Sequence, residues 1–154
     1  MPSLPNTISK LKIKYPYITF VKGSSFVWSP STQTITYGTE TNINHAIWAL
    51  IHEVAHADLH HAHYKNDLNL IMLESAAWNR AKEIAASIDI VIDEDHIQDC
   101  LDTYRDWLHK RSSCPACDVV SLQTEDSTYA CFNCRTEWKV PASPLCRVSR
   151  VVVS

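Results

Sequence analysis

The sequence predicts an α+β protein in which a small antiparallel sheet packs on three helices, with a four-cysteine module after them. Three observations lead to this prediction: β-prone segments between residues 17 and 37, long apolar or amphipathic stretches between 42 and 111, and two cysteine pairs between 114 and 134. At 154 residues the chain supports one domain and an appendage too small to fold by its hydrophobic core alone. The predicted divisions are a domain at 1–110, the cysteine module at 111–140 and a tail at 141–154.

The sheet is expected from the distribution of β-branched and aromatic residues. Its strands are placed at 17–22, 25–29 and 34–37, separated by Gly23-Ser24 and by a proline-containing turn. Three prolines make the preceding segment irregular, with about one turn of helix around residues 8–13. A further strand or a mobile segment is expected from the valines at 148–153.

Three helices are predicted from apolar spacing and from residues that begin or end helices. The first is placed at 42–63, after the N-cap candidates Thr41 and Asn42. The second runs from Asp67, itself a good N-cap, to about Ser87. The third begins at the acidic run 93–95 and ends at Lys110-Arg111, so that its charges suit the helix dipole.

The most specific chemical signal is the five-residue run His52-Glu53-Val54-Ala55-His56 in the first predicted helix. Residues four apart lie on one face of a helix, so His52 and His56 can bind one zinc ion from the same side. Glu53 lies one position further round and can reach a water on that ion as a general base. The apolar run at 46–51 would bury this helix and hold the ligands in place. The motif therefore predicts a catalytic zinc site.

A third protein ligand is expected, because catalytic zinc sites usually have three and keep one position open. We select Glu74, which follows Asp67 by seven residues. In an antiparallel hairpin of the first two helices, this offset brings Glu74 level with His56. Small residues on the same side of the second helix would allow the close approach: Ala77, Ala81 and Ala85.

Other candidate ligands lie after the motif. The extended pattern with Gly three residues and His six residues past the second His fails, since those positions hold Leu59 and Ala62. His60 shares the motif's face but would point past the metal, whereas His63 and Asp67 stay open as third ligands. Polar residues near this turn are also candidates for binding substrate or stabilising an oxyanion: His60, His61, His63 and Tyr64.

This set of ligands and base resembles the zincin metallopeptidases whose third ligand is a Glu on the following helix. The residues that carry the resemblance are His52, Glu53, His56 and Glu74. Within that group, residues 74–81 are similar to the Glu-x-x-Ala-(Asn/Asp/Trp)-x-x-Ala helix of ImmA/IrrE-type proteins. The resemblance covers about residues 17–90. It implies a zincin-like α+β domain whose edge strand pairs with the substrate backbone.

The resemblance also implies a zinc metalloendopeptidase, a hydrolase acting on a protein or peptide substrate. Zinc would lower the pKa of a bound water to about 7 and polarise the scissile carbonyl. Glu53 would take the proton of that water and pass it to the leaving amine. Many such proteins orient a ligand His with an Asp four residues after the ligand Glu, but here that position holds Trp78. Asp58 and Asp67 are the candidates to replace it.

The second strong motif consists of two Cys-x-x-Cys pairs separated by thirteen residues, with the cysteines Cys114, Cys117, Cys131 and Cys134. This spacing predicts a four-thiolate structural zinc site. Residues 119–122 and 127–130 are predicted strands joined by the polar turn Glu125-Asp126, so the module resembles a zinc ribbon. Two disulfides would instead need an oxidising compartment, and no signal-peptide pattern is visible. We therefore expect two zinc ions in the chain, one catalytic and one structural.

The charge of the chain bears on its partners. The net charge is −3, and residues 110–140 contain four basic and four acidic residues. This balance is a poor footprint for a nucleic acid, although Phe132 and Trp138 could stack on bases if the core did not need them. No apolar run approaches the length of a membrane span. Cys100, on the apolar face of the third helix, and Cys146, in the tail, fit a reducing compartment, so a cytoplasmic location is expected.

Three functions are therefore weighed. The first is the zinc endopeptidase described above. The second is a DNA-associated protease resembling SprT-type proteins, which also pair this motif with a zinc ribbon. Their third ligand is usually a His in a Gly-His-Gly setting, which this sequence lacks. The third is a non-catalytic scaffold that keeps the metal and uses the domain for binding.

Overall fold

The structure is a computed structural model that describes residues 1–142 and 147–153. Within these residues the chain is α+β, as predicted, and forms two compact units. The first unit contains residues 1–63 and 73–97, and the second contains residues 64–72 and 98–154. Of the predicted tail, Cys146 lies outside the described residues. The described helices include none that is long and apolar enough to cross a membrane.

The first unit begins with a helix that is longer than predicted. Helix α1 spans Leu4–Lys14, because Ser3 caps it and Pro5 lies in its first turn, where proline costs no hydrogen bond. The proline at this position therefore begins the helix, whereas the sequence prediction treated it as a breaker. Leu11, on its inner face, is fully buried.

The sheet of the first unit is mixed, which corrects the prediction of a purely antiparallel sheet. Its strands are β1 (Thr19–Lys22), β2 (Val27–Ser29) and β3 (Thr34–Tyr37), in the order β1-β3-β2. β2 is antiparallel to β3, but β1 is parallel to it, with Thr19 opposite Thr34. The chain crosses from β1 to the far edge, forms β2 there, and returns to the centre. At the end of β3, Gly38 approaches the backbone of Ser24 so closely that a Cβ would lie 2.9 Å from its carbonyl group.

Helix α2 spans Ile43–Asp58 and carries the histidine motif. Its N-cap is Asn42, one of the two predicted candidates, whose side chain accepts hydrogen bonds from the N–H groups of Asn44 and His45. Its apolar face is fully buried and includes Leu50, Ile51, Val54 and Ala55. This burial is what the apolar run before the motif predicts.

Helix α2 ends five residues before the predicted end at residue 63, in a Schellman motif. The N–H of His60 donates to the carbonyl of Ala57 (3.1 Å), and the N–H of His61 donates to the carbonyl of His56 (3.0 Å). His60 takes the left-handed position that glycine usually fills, with φ at 57°. The usual sequence signal for this ending is therefore absent.

Helices α3 (Asp67–Ala86) and α4 (Glu94–Ser112) agree closely with the predicted bounds. Asp67 is the first residue of α3 rather than its N-cap. In the first unit, the small residues predicted to face the site helix are fully buried: Ala77, Ala81 and Ala85. The face of helix α3 that carries these small side chains is therefore buried in the interior of this unit.

The second unit contains an antiparallel sheet around the cysteine pairs. Its strands are β4 (Leu122–Glu125), β5 (Thr128–Ala130), β6 (Glu137–Lys139) and β7 (Val151–Val152), in that order across the sheet. β4 and β5 correspond to the predicted strands 119–122 and 127–130, but β4 begins three residues later than predicted, closer to the turn. β7 confirms that the terminal valines add a strand. Trp138 is fully buried, whereas Phe132 is 73% exposed, so only one of the two aromatic candidates belongs to the core.

A buried ionic cluster connects α3, α4 and the sheet within the second unit. The guanidinium of Arg111 donates from Nε to Asp67 Oδ2 at 2.8 Å, and the hydroxyl of Tyr129 donates to the same oxygen. Burial, with the nearby carboxylate, raises the pKa of Tyr129 and keeps the hydroxyl a donor. Trp138 Nε1 donates to the carbonyl of Arg111 at 2.8 Å. Arg111 therefore holds together residues far apart in the sequence.

Arg111→Leu is expected to lower the free energy of unfolding by about 3–5 kcal/mol, because it leaves Asp67 buried without its cation. Arg105→Leu is the matched control, since Arg105 pairs with Asp102 on the exposed face of the same helix. Its loss should be no more than about 1 kcal/mol. Urea denaturation of the metal-loaded chain measures both values. Equal losses would contradict the structural role of the buried pair.

Candidate metal centres

The first candidate metal centre lies between α2 and α3 in the first unit. His52 Nε2 lies 2.9 Å from Glu74 Oε2 and 3.1 Å from His56 Nε2, and His56 Nε2 lies 3.2 Å from Glu74 Oε1. Two ligands each about 2.1 Å from a tetrahedral zinc lie about 3.4 Å apart, close to this triangle. Two imidazole nitrogens and a carboxylate also form a donor set found in catalytic zinc sites. The structure thus brings together the three residues selected from the sequence, in a group that could hold a metal ion.

Burial and mutual contact set the charges of these three side chains. Burial alone would raise the pKa of Glu74, but its hydrogen bonds with His52 and His56 outweigh this effect and hold the pKa at about 2. Burial lowers the pKa of His52. It also opposes protonation of His56, but contact with Glu74 prevails and raises the pKa of that ring. The site therefore combines an ionised carboxylate with two imidazoles, of which His52 is held neutral.

Glu53 lies beside this group without belonging to it. Its Oε2 accepts a hydrogen bond of 2.8 Å from the backbone N–H of Trp28 in β2. Burial raises the pKa of Glu53 to about 7, while His56 and the Trp28 N–H act in the opposite direction. A carboxylate with a pKa near 7 has the proton affinity that suits a general base.

The two histidines are oriented by different neighbours. His56 Nδ1 lies 2.9 Å from His61 Nδ1, whereas buried His52 Nδ1 has no hydrogen-bond partner among the described residues. The ring of His52 instead stacks on Trp78, with the centroids 4.1 Å apart. Burial, followed by the neighbouring His56, lowers the pKa of His61, which keeps that ring neutral.

The other sequence candidates lie elsewhere. Asp58 forms an ion pair with Arg80, and the carboxylate of Asp67 accepts hydrogen bonds from Arg111 and Tyr129. His60 and His63 are exposed and lie outside the group of candidate ligands. Tyr64 belongs to the second unit. Sequence reasoning missed Trp28 entirely, because no motif marks the strand residue that contacts the motif helix.

The second candidate metal centre is formed by the four predicted cysteines in the second unit: Cys114, Cys117, Cys131 and Cys134. The sulfur atoms of Cys114 and Cys134 are 3.5 Å apart, and those of Cys117 and Cys131 are 3.6 Å apart. A disulfide would require about 2.05 Å, whereas thiolates about 2.3 Å from a tetrahedral zinc lie about 3.8 Å apart. The spacing therefore fits a shared metal. It excludes a disulfide between Cys114 and Cys134 and between Cys117 and Cys131.

Hydrogen bonds lower the thiol pKa at two of these four sulfurs, Cys131 and Cys134, whereas the pKa of Cys117 is raised. The N–H groups of Asn133 and Cys134 both point to Cys131 Sγ, at 3.4 Å each. The pKa of the Cys131 thiol is lowered to about 6, and the largest cause is the hydrogen bond from the backbone N–H of Cys134. Thr136 lowers the pKa of Cys134 through a side-chain contact of 3.1 Å. Thiolates are the form that binds metal.

Comparisons with protein-family models, with curated protein sequences and with solved structures give no match. The resemblance to the zincins therefore depends on the motif residues and on the geometry described above. These support two groups able to bind metal, for which zinc is a compatible ion.

Proposed function

We propose that this chain is a zinc-dependent metallopeptidase that hydrolyses peptide bonds in a protein substrate. The observation that carries the proposal is the convergence of His52, His56 and Glu74 on one point, with the carboxylate of Glu53 outside this group and held by the Trp28 N–H. The chain would hold a catalytic zinc at this point and a structural zinc at the four cysteines. The thiols at metal-ligand spacing support a reducing compartment, and a cytoplasmic location remains a prediction.

In this proposal the metal supplies Lewis acidity, which lowers the pKa of a bound water to about 7 and polarises the scissile carbonyl. The residues of the chain handle the proton. Trp28 N–H holds one oxygen of Glu53 and leaves the other to accept a proton from the attacking water. Glu53 then returns this proton to the leaving amine, which completes cleavage of the peptide bond.

The position of β2 supports an extended peptide as the substrate. β2 is an edge strand, and the N–H of Trp28 points to Glu53 rather than to β3. In an antiparallel ladder the C=O of a residue points to the same side as its N–H, so the Trp28 carbonyl also faces outward. The Trp28 carbonyl, the outward group that Glu53 does not occupy, could therefore accept a hydrogen bond from an extended backbone beside the site.

Glu74→Gln is expected to lower the affinity of the first site for zinc by at least about 10-fold, together with peptide cleavage, because an amide is a poor replacement for a carboxylate ligand. Glu83→Gln, on the exposed side of the same helix, is the matched control and should change neither property. A peptide-library cleavage assay with zinc titration measures both. Unchanged zinc affinity in Glu74→Gln would remove this residue from the site, and absence of cleavage by the wild type across the library would count against the peptidase.

A DNA-associated protease is the second candidate, favoured by one observation. Phe132 lies in the second cysteine pair and is 73% exposed, although the core of this unit already contains Trp138. Exposed aromatic side chains can stack on unpaired bases. Titration of wild type and Phe132→Ser with single-stranded DNA at two salt concentrations would test this candidate. Binding without cleavage would instead support the non-catalytic scaffold.

A further inference from the structure

His61 contacts the candidate ligand His56 in two ways. Its ring nitrogen Nδ1 lies 2.9 Å from His56 Nδ1, and its backbone N–H donates to the His56 carbonyl at 3.0 Å. Both contacts follow from the Schellman motif, which turns the chain back over the last turn of α2. The backbone hydrogen bond holds His61 beside His56, and the contact between the two Nδ1 atoms acts on the His56 ring itself.

We propose that His61 is the positioning residue of the metal ligand His56. The proposal rests on the metal-binding part of the proposed function. His56 directs Nε2 toward His52 and Glu74, so in the neutral ring that binds metal the proton is on Nδ1. The lone pair of His61 Nδ1 accepts this proton, which places the proton of His61 on Nε2. His61 therefore selects both the tautomer and the orientation of His56.

Trp28 extends this arrangement to the sheet. Its indole Nε1–H donates to the carbonyl of His61 at 3.1 Å, and its backbone N–H donates to Glu53 Oε2 at 2.8 Å. One strand residue thus holds both the turn that orients His56 and the proposed base. The other histidine ligand has no such support, since His52 stacks on Trp78 and its Nδ1 lacks a described partner.

Metal affinity, rather than turnover, tests the proposal. The full chain is first loaded with one equivalent of Zn²⁺, which the thiolate site prefers to Co²⁺. The first site is then titrated with Co²⁺, and its visible spectrum reports ligand geometry. His61→Ala is expected to bind Co²⁺ about 10- to 100-fold more weakly, the usual effect of removing a partner of a metal ligand. His63→Ala, an exposed histidine of the same segment, is the control and should bind like the wild type.

Two further variants separate positioning from folding. In His61→Asn the side-chain oxygen can take the place of Nδ1 as acceptor, so affinity and spectrum should return toward wild type. Trp28→Phe keeps the backbone N–H to Glu53 but removes the indole donor. It should weaken Co²⁺ binding in the wild type and have little further effect in His61→Ala. Melting of the metal-free chain should be unchanged in His61→Ala and His61→Asn.

Wild-type Co²⁺ affinity and spectrum in His61→Ala would overturn the proposal. A failure of His61→Asn to recover either property would also overturn it. The proposal would likewise fail if His61→Ala and His61→Asn destabilised the metal-free chain by the same amount. A wild-type chain that binds Co²⁺ but cuts no peptide would remove the peptidase and leave the role of His61 intact. The two failures are therefore distinguishable.

Discussion

Glu53→Gln is expected to retain both metal ions and to cleave peptides at least about 100-fold more slowly than the wild type. Glutamine has nearly the same shape as glutamate. In the wild type the N–H of Trp28 donates to Glu53 Oε2 at 2.8 Å, and the glutamine Oε1 can accept the same hydrogen bond. The amide cannot take a proton from water. The variant therefore keeps the site and removes only the base.

The measurement combines zinc content per chain with kcat/KM on the best peptide found in the library. Glu83→Gln again provides the control, since it also replaces a carboxylate by an amide but at an exposed position. Near-wild-type cleavage by Glu53→Gln would exclude Glu53 as the base and leave the metal site untouched. Loss of zinc from this variant would mean that Glu53 also supports the ligands.

The grouping of the three candidate ligands in the first site could be predicted because it depends on helix geometry. The four-residue spacing of His52 and His56 places both on one helix face wherever that helix ends. Glu74 followed from the start of α3, and Asp67 does begin that helix. The three side chains lie together as the predicted hairpin requires, although α2 ends at Asp58 rather than residue 63.

The residues around these ligands were not predictable because their contacts are distant or lack a usual signal. The hydrogen bond from Trp28 to Glu53 spans 25 residues, and no pattern in a short strand indicates the direction of one N–H group. His60 occupies a left-handed position without being glycine, so the end of α2 and the placement of His61 were hidden. The parallel pairing of β1 with β3 likewise depends on how the chain crosses the sheet.

In the second unit the same distinction holds. Each Cys-x-x-Cys pair is local, so the four sulfurs could be grouped from spacing alone. The cluster of Arg111, Asp67 and Tyr129 joins residues 44 and 62 positions apart, and the sequence gives no sign of it. Asp67 was predicted as a helix N-cap, an alternative ligand or a partner of a ligand His, and its carboxylate instead compensates a buried guanidinium.

Cys131→Ser is expected to lower the zinc content from two ions to one per chain and to unfold the 111–140 segment. Cys131 is buried, and its sulfur lies 3.6 Å from that of Cys117 and accepts two backbone N–H groups. Serine leaves three thiolates and an alcohol that stays protonated near neutral pH. Structural zinc sites in small modules contribute about 10–16 kcal/mol, far more than a core of this size supplies.

Elemental analysis and limited proteolysis measure the two effects: one zinc should be lost, and cleavage should appear within 111–140. Cys100→Ser is the matched control, because Cys100 lies outside the four-thiol group and should keep both ions. The remaining ion in Cys131→Ser should be bound at least about 10-fold more weakly when Glu74→Gln is added, because the two centres use separate residues. Loss of both ions from Cys131→Ser alone would show that the two centres depend on each other.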